Sequence, residues 1–169
     1  YLNKTLVKSR PIKTASKSSS QKANTQRSKS TTSSQKKTQV VLPSNGSLKW
    51  QWPSQGRIMA RFSSLKSLNK GIDIKGGLGE PVLAAAPGVA VYAGSGIRGY
   101  GNLLIIKHSE RFLSAYAHNS RLLVKEDEVI KAGQKIAEIG NSGTDQSKLH
   151  FEIRRDGKPI DPLRYLPKR

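Results

Sequence analysis

Lys148 and His150 are the residues whose types and spacing first suggest chemistry. They lie in the stretch Lys148-Leu149-His150-Phe151-Glu152-Ile153, in which polar and apolar residues alternate. Alternation of this kind is typical of a half-buried strand, so we expect the apolar residues in the core and the polar residues on an exposed face. Two histidines at this spacing could bind a metal ion and assist a water molecule. Here the first of the two is a lysine, and the function depends on that replacement.

Two further candidates lie upstream. His118 closes the run Ser114-Ala115-Tyr116-Ala117-His118. Because it follows Tyr116 by two residues in a predicted strand, we expect it to share a face with Tyr116. Asp73 ends the run Asn69-Lys70-Gly71-Ile72-Asp73 and is the first acidic residue of the chain. The glycine in this run allows the backbone to approach a site closely. Taken alone, each of these residues is more often a solvated surface group than a ligand.

Short apolar runs separated by Gly, Pro, Ser and Asn must position these candidates. The predicted strands comprise residues 57–62, 71–74, 81–86, 88–93, 102–107, 112–118, 135–139 and 149–154, and residues 49–52 alternate in the same way. Residues 103–106 are continuously apolar, as in a strand buried on both faces, and His108 just beyond them is expected to be structural or solvated. Only residues 120–130 have weak helical character. Short strands with so little helix predict an all-β sandwich or barrel.

The net charge of +19 is distributed unevenly along the 169 residues. Residues 1–46 hold ten Lys/Arg and no acid, and they contain too few apolar groups to form a core, so we expect a disordered linker. Residues 47–169 hold twenty Lys/Arg and eleven Asp/Glu, and we expect one ordered domain there. The linker could anchor the protein to an anionic wall polymer or surface. Nucleic acid is not an expected partner, because residues 2–49 lack any aromatic side chain that could stack on a base.

The composition also excludes several kinds of site. The chain has no cysteine, which rules out disulfides, thiolate zinc sites and a cysteine nucleophile. No run of about 18 apolar residues could cross a membrane as a helix, and no signal peptide is visible. Because the chain begins with Tyr1 instead of Met, we expect it to be a fragment of a longer protein.

The ordered part, about residues 48–167, resembles the LytM (M23, lysostaphin-like) zinc endopeptidase domain, and most closely the NlpD-type murein hydrolase activators. The matching stretches are Lys70-Gly71-Ile72-Asp73-Ile74, Gly94 with Arg98-Gly99-Tyr100-Gly101-Asn102, Tyr116-Ala117-His118-Asn119, residues 129–135, Leu149-His150-Phe151-Glu152-Ile153-Arg154 and residues 161–166. The resemblance implies a twisted antiparallel β sandwich with its site in a groove on top.

The resemblance also implies which positions once formed the zinc site. Active members bind zinc with a His-x-x-x-Asp motif and the second His of a His-x-His motif, and two more histidines assist the attacking water. The ligand positions in this chain are Asn69, Asp73 and His150, and the helper positions are His118 and Lys148. One ligand and one helper histidine are therefore replaced, and we expect these five positions to be vestigial.

Physical chemistry makes these replacements decisive. Catalytic zinc needs three protein ligands and an open position, and a neutral amide such as that of Asn69 suits calcium or magnesium better. The ammonium group of Lys148, about 5 Å from a divalent cation, would repel it by several kcal/mol at an effective dielectric near 20. We therefore expect no zinc, no other cofactor and no catalytic residue. Lys148 is instead predicted to form an ion pair with Asp73.

The expected function is that of a degenerate LytM domain that activates a periplasmic N-acetylmuramoyl-L-alanine amidase acting on peptidoglycan during cell division and daughter-cell separation. The expected partner-binding groove comprises Asn69, Asp73, Arg98, Tyr100, His118, Lys148 and His150. The alternative is a zinc metalloendopeptidase that hydrolyses peptidoglycan cross-bridges. The resemblance further implies the periplasm of a Gram-negative bacterium and an outer-membrane lipoprotein, whose lipid anchor and LysM module would lie outside this sequence.

Overall fold

The computed structural model describes residues 48–65 and 69–169, so the predicted linker, residues 1–46, lies outside the described residues. Within them the chain forms ten strands and a short 3-10 helix. The strands are β1 (Ile58–Ala60), β2 (Ile72–Lys75), β3 (Pro81–Leu83), β4 (Gly88–Gly94), β5 (Asn102–Lys107), β6 (Phe112–Leu122), β7 (Val129–Ile130), β8 (Lys135–Ile139), β9 (Lys148–Arg155) and β10 (Lys158–Ile160), and the 3-10 helix is Pro162–Arg164. The all-β fold class expected from the sequence is confirmed. No described helix is long and apolar enough to cross a membrane.

All strand pairs are antiparallel, and β6 and β9 lie at the centre of the sheet. The main order is β1-β2-β9-β6-β5-β4-β7, β10 pairs with β9, and the β3–β8 pair joins the sheet through β6. The register sets Asp73 of β2 and Ala117 of β6 on either side of His150 of β9. Three residues far apart in sequence therefore meet at one point of the sheet.

Apolar side chains pack on both faces of the central strands. The alternate residues Leu149, Phe151 and Ile153 of β9 are fully buried in the larger core. A smaller cluster on the opposite face contains Leu103 and Ala117. Strand β5 contributes to both, because Leu103 belongs to the smaller cluster while Leu104 and Ile106 belong to the larger core. The expectation that residues 103–106 are buried on both faces is confirmed for Leu103, Leu104 and Ile106, whereas Ile105 is only partly buried.

Two secondary-structure predictions were wrong. Residues 49–52 form no strand, although Trp50 packs edge-on against the rings of His108, Phe112 and Tyr165. Residues 120–130 form no helix. They complete β6 and form β7, because pairing with β8 and β4 satisfies their backbone groups and overrides a weak local preference.

His108 has the structural role that was one of its two expected roles. It is fully buried, with Nδ1 lying 2.8 Å from Pro87 O and Nε2 lying 2.7 Å from Ser114 Oγ. Ser114 Oγ lies 2.9 Å from Tyr116 Oη, which accepts the backbone N–H of Ala85. Because Pro87 O can only accept, one orientation completes this chain: Tyr116 donates to Ser114, Ser114 to His108, and His108 to Pro87. Burial lowers the pKa of His108 to about 4, and the ring is neutral.

Candidate functional site

Asp73, Lys148 and His150 lie together on one face of the sheet. Strands β2 and β9 are neighbours, and their register sets Asp73 opposite His150. Lys148 precedes His150 by two residues and therefore projects from the same face. Lys148 Nζ donates to Asp73 Oδ2 over 2.8 Å, and His150 Nδ1 donates to Asp73 Oδ1 over 2.7 Å. The predicted ion pair between Lys148 and Asp73 is confirmed.

Glu152 extends this cluster and is the main residue that sequence reasoning missed. Its fully buried carboxylate accepts hydrogen bonds from His150 Nε2 at 3.1 Å, Arg154 Nε at 2.7 Å and Tyr100 Oη at 2.8 Å. The polar face of β9 was expected to be exposed, and this was wrong because Tyr100, from the loop between β4 and β5, covers it. A signal was present in the sequence, since an acidic residue follows His150 at the same two-residue spacing. We call the following residues the carboxylate network: Asp73, Tyr100, Lys148, His150, Glu152 and Arg154.

The two carboxylates that contact His150 favour its doubly protonated imidazolium form. Carboxylate oxygens can only accept, so each ring nitrogen must donate a proton to its own carboxylate. Burial lowers the pKa of His150, but its hydrogen bonds to Asp73 and Glu152 and the charges of both carboxylates outweigh burial and raise it above its ordinary value. Burial raises the pKa of Asp73, yet hydrogen bonds from His150 and Lys148 overcome this and lower it to about 2. The network therefore consists of charged groups that stabilise each other, together with the neutral phenol of Tyr100.

His118 reaches the same site through an irregularity in β6. Its backbone φ of 65° lies in the left-handed region, and the register of β6 shifts beside it. Its ring lies 6.0 Å from the ring of His150. The predicted shared face with Tyr116 is wrong, because the positive φ breaks the alternation of the strand. Nδ1 donates to Ser142 O over 2.8 Å, so Nε2 carries the lone pair, and burial lowers the pKa of His118 and favours the neutral ring.

The loop between β4 and β5 is fastened to the site by its backbone as well. The carbonyl of Tyr100 accepts the N–H of His118 over 2.9 Å. Gly101 has a φ of 60° and packs closely against the loop between β8 and β9. A Cβ at this position would lie 2.1 Å from Ser142 O, so only glycine fits. Arg98 lies in the same loop, is exposed, and forms no ion pair with any described residue.

Asn69 is engaged in a local turn. Its Oδ1 accepts the backbone N–H of Gly71 over 3.2 Å, while its buried Nδ2 has no hydrogen-bond partner in the described ranges. No hydrogen bond joins Asn69 to the carboxylate network within the part of the chain that is described. Of the seven predicted site residues, the structure brings five together: Asp73, Tyr100, His118, Lys148 and His150. We call the surface that carries these five residues the site face.

The donor set does not fit zinc, the metal that the resemblance implies. Zinc requires lone pairs from three protein ligands. Both oxygens of Asp73 and both ring nitrogens of His150 take part in hydrogen bonds, and the ammonium of Lys148 lies 2.8 Å from Asp73 Oδ2. Residues 48–65 and 69–169 contain no group of three or more His, Cys, Asp or Glu side chains placed to hold a metal ion. What the site face offers is hydrogen-bonding and charged groups, including the N–H groups of Lys148 that Asp73 does not use.

Comparison with curated proteins shows close relatives. The chain is 65% identical over 120 residues to a protein of Pseudomonas aeruginosa named "Lipoprotein NlpD/LppB homolog", in an alignment covering 71% of this chain and 40% of that protein. It is 54% identical over 120 residues to the "Murein hydrolase activator NlpD" of Escherichia coli, covering 71% of this chain and 32% of the relative. The chain therefore spans well under half the length of these relatives.

Solved structures and a family profile agree with these matches. A zinc-containing peptidase from Vibrio cholerae has a similar fold, with a TM-score of 0.63 and 26% sequence identity, covering 68% of this chain and 39% of that one. The profile of peptidase family M23 matches residues 67–162, which is more than half of the sequence. The chain belongs to peptidase family M23.

Proposed function

We propose that this domain activates a peptidoglycan N-acetylmuramoyl-L-alanine amidase and hydrolyses no substrate itself. The observation that carries the proposal is the engagement of Asp73, whose two oxygens hold the cations Lys148 and His150 at positions where active relatives would hold zinc. The name of the Escherichia coli relative, a murein hydrolase activator, supports the same conclusion. The proposal includes no resident zinc or other cofactor.

Activation requires the domain to prefer one state of the amidase over another. A binding partner shifts a conformational equilibrium only by its difference in affinity for the two states. We infer that the site face, with Asn69 and Arg98 at its border, binds the amidase segment that would otherwise cover the catalytic zinc of that enzyme. Arg98 and Tyr100 are of the residue types that most often anchor interfaces. Because Tyr100 is fixed by Glu152, this surface is already formed before the partner arrives.

The proposed setting is the cell envelope. The names of the relatives describe lipoproteins, and one of them is an outer-membrane antigenic lipoprotein of Haemophilus influenzae. We propose that the whole protein is an outer-membrane lipoprotein of a Gram-negative bacterium that faces the periplasm. Its partner amidase would cleave peptidoglycan there during daughter-cell separation.

The test measures dye released from labelled peptidoglycan by a purified amidase, with and without this chain. We expect the chain alone to release no dye and the mixture to release more than the amidase alone. Arg98→Gln should reduce the stimulation several-fold, because it removes an exposed cation at the border of the site face. Lys125→Gln is the matched control, since Lys125 is an exposed cation between β6 and β7.

Zinc analysis of the same preparation distinguishes the alternative. If the chain holds one equivalent of zinc and cleaves peptidoglycan cross-bridges on its own, it is an endopeptidase. The structurally similar protein of Vibrio cholerae is named a zinc-containing peptidase. That outcome, or a failure to stimulate any amidase, would contradict the activator function.

A further inference from the structure

Two depressions are lined by the C-terminal segment of the domain and by the segment that carries β1. The first has a volume of about 560 Å³ and an apolar floor that includes Ile58 and Leu166. The second has a volume of about 520 Å³, with Phe62 and Tyr165 in its lining. Both are bounded by the same segments, residues 57–64 and 159–169, with Arg155 at the border. We call the two depressions together the basic cleft.

The arginines of the basic cleft differ from most other arginines of the domain in forming no ion pair within the described residues. Outside the cleft, Arg111, Arg121 and Arg154 each form an ion pair with a carboxylate. Arg169 forms no ion pair in the described ranges either, but it is bound to backbone carbonyls. The other cleft arginines that form no ion pair with any residue in 48–65 or 69–169 are Arg57, Arg61, Arg155 and Arg164. All four are exposed, so their guanidinium groups are available to a ligand. Four exposed cations without an ion pair, placed around two concavities, attract negative charge.

The acid that lines the cleft does not neutralise these arginines. Asp161 Oδ1 accepts the backbone N–H of Leu163 over 3.0 Å and caps the 3-10 helix. Its side chain forms no ion pair in the described ranges. The carboxylates that the four arginines could bind must therefore come from another molecule.

The first depression has a fixed wall. The guanidinium of Arg169 lies over the ring of Trp52, 3.8 Å from its centroid, and donates to the carbonyls of Ser54 and Gly56. The indole N–H of Trp52 donates to Pro167 O over 2.9 Å. A stacked and hydrogen-bonded wall loses little conformational freedom when a ligand binds. The indole N–H also provides a spectroscopic signal inside the depression.

We propose that the basic cleft binds an acidic peptide segment of a partner protein. Guanidinium groups bind carboxylates through two parallel hydrogen bonds, and the apolar floors accept small aliphatic side chains between them. A flat bilayer surface could not fill two concavities of this size. Residues 1–46 of this chain hold ten Lys/Arg and no acid, so their charge repels them from the cleft. The proposal shares no residue with the site face and stands without the amidase function.

The probe is a short blocked peptide of alternating Glu and Ala, labelled for fluorescence anisotropy, with its Gln/Ala analogue as the uncharged control. We expect the Glu peptide to bind the whole 169-residue chain. It should also shift the NMR signal of the Trp52 indole N–H, and the Gln analogue should do neither. Increasing salt should weaken the binding.

Matched double variants locate the binding surface. Arg61→Gln/Arg164→Gln changes one arginine in each depression and should raise the dissociation constant of the Glu peptide about tenfold. Lys125→Gln/Lys131→Gln removes the same net charge elsewhere and should change the constant by less than about twofold. Circular dichroism must show that both variants are folded. If both weaken binding equally, or the Gln analogue binds as well as the Glu peptide, the proposal is overturned.

Three further measurements identify other occupants, each of which would also overturn the proposal. Anionic phosphatidylglycerol vesicles that bind through Arg61 and Arg164, in place of the peptide, would identify a membrane surface. Isolated peptidoglycan that binds in the same way would identify the wall polymer. Self-association in sedimentation that is lost in the Arg61→Gln/Arg164→Gln variant would identify a second copy of this chain.

Discussion

Asp73→Asn removes the negative charge that holds two cations together, and we expect it to destabilise the domain strongly. The Asp73 side chain is only 12% exposed and accepts from both Lys148 and His150. Removing one partner of a buried ion pair costs about 3–5 kcal/mol. The fall in the pKa of Asp73 from 3.8 to about 2 corresponds to about 2 kcal/mol at about 1.36 kcal/mol per unit. Because His150 can release its proton in the variant, we expect a loss of about 2–3 kcal/mol.

Lys148→Met tests the same reasoning from the other side of the pair. We expect it to cost only about 1 kcal/mol, because His150 still neutralises Asp73 and the methionine retains most of the aliphatic stem. The double variant Asp73→Asn/Lys148→Met should lose at least about 1 kcal/mol less free energy of unfolding than the two single losses added together. The reason is that it leaves one unpaired cation fewer than Asp73→Asn alone.

Urea unfolding followed by the fluorescence of Trp50 and Trp52 measures these free energies. Glu110→Gln is the control, because the Lys107–Glu110 pair has a similar distance of 2.7 Å but Glu110 is 80% exposed. Exposed pairs of this kind contribute about 0–1 kcal/mol. If Asp73→Asn were as stable as the wild type or as Glu110→Gln, the carboxylate would not hold the cations together, and the account of the site would be refuted.

Three further predictions concern buried contacts around this site and in the core. Tyr100→Phe should lower the free energy of unfolding by about 1–3 kcal/mol in urea titrations, because buried Glu152 loses one of its three donors. Gly101→Ala should cost more than about 2 kcal/mol in the same assay, since its Cβ would collide with Ser142 O at 2.1 Å and its φ is positive; a loss below about 0.5 kcal/mol would show that the loop simply moves away. The pKa of His108 falls on folding from 6.5 to about 4, so its contribution to stability is complete above pH 6.5 and is lost as the pH falls towards 4. Unfolding measured across that range should show this slope in the wild type and not in His108→Gln.

The sequence was most informative about residues that share a strand or a sheet face. Alternation in β9 correctly identified Leu149, Phe151 and Ile153 as core residues. A shift of one residue in the pairing register would bury the charged residues of the strand in their place. The spacing of Lys148 and His150 placed both on one face of the strand, and the resemblance to the LytM zinc site implied that Asp73 lies beside them. The predicted ion pair followed from these two points together.

The sequence was least informative about what covers a face. Glu152 alternates like any exposed residue, and only the fold of the loop between β4 and β5 brings Tyr100 to its carboxylate. That contact spans 52 residues and no local pattern encodes it. His118 was misplaced for a related reason. The positive φ of His118 interrupts the alternation of side chains between the two faces of the strand. The residue type alone does not predict such an interruption.

The two carboxylates of the network link separate parts of the site face. Asp73 joins β2 to β9 through both of its oxygens, and Glu152 joins β9 to the loop that carries Tyr100. A metal ion bound at this position would link the same strands through coordination bonds. Here charge-assisted hydrogen bonds provide the links. A surface that is held rigid in this way loses less entropy when a partner binds, which favours recognition.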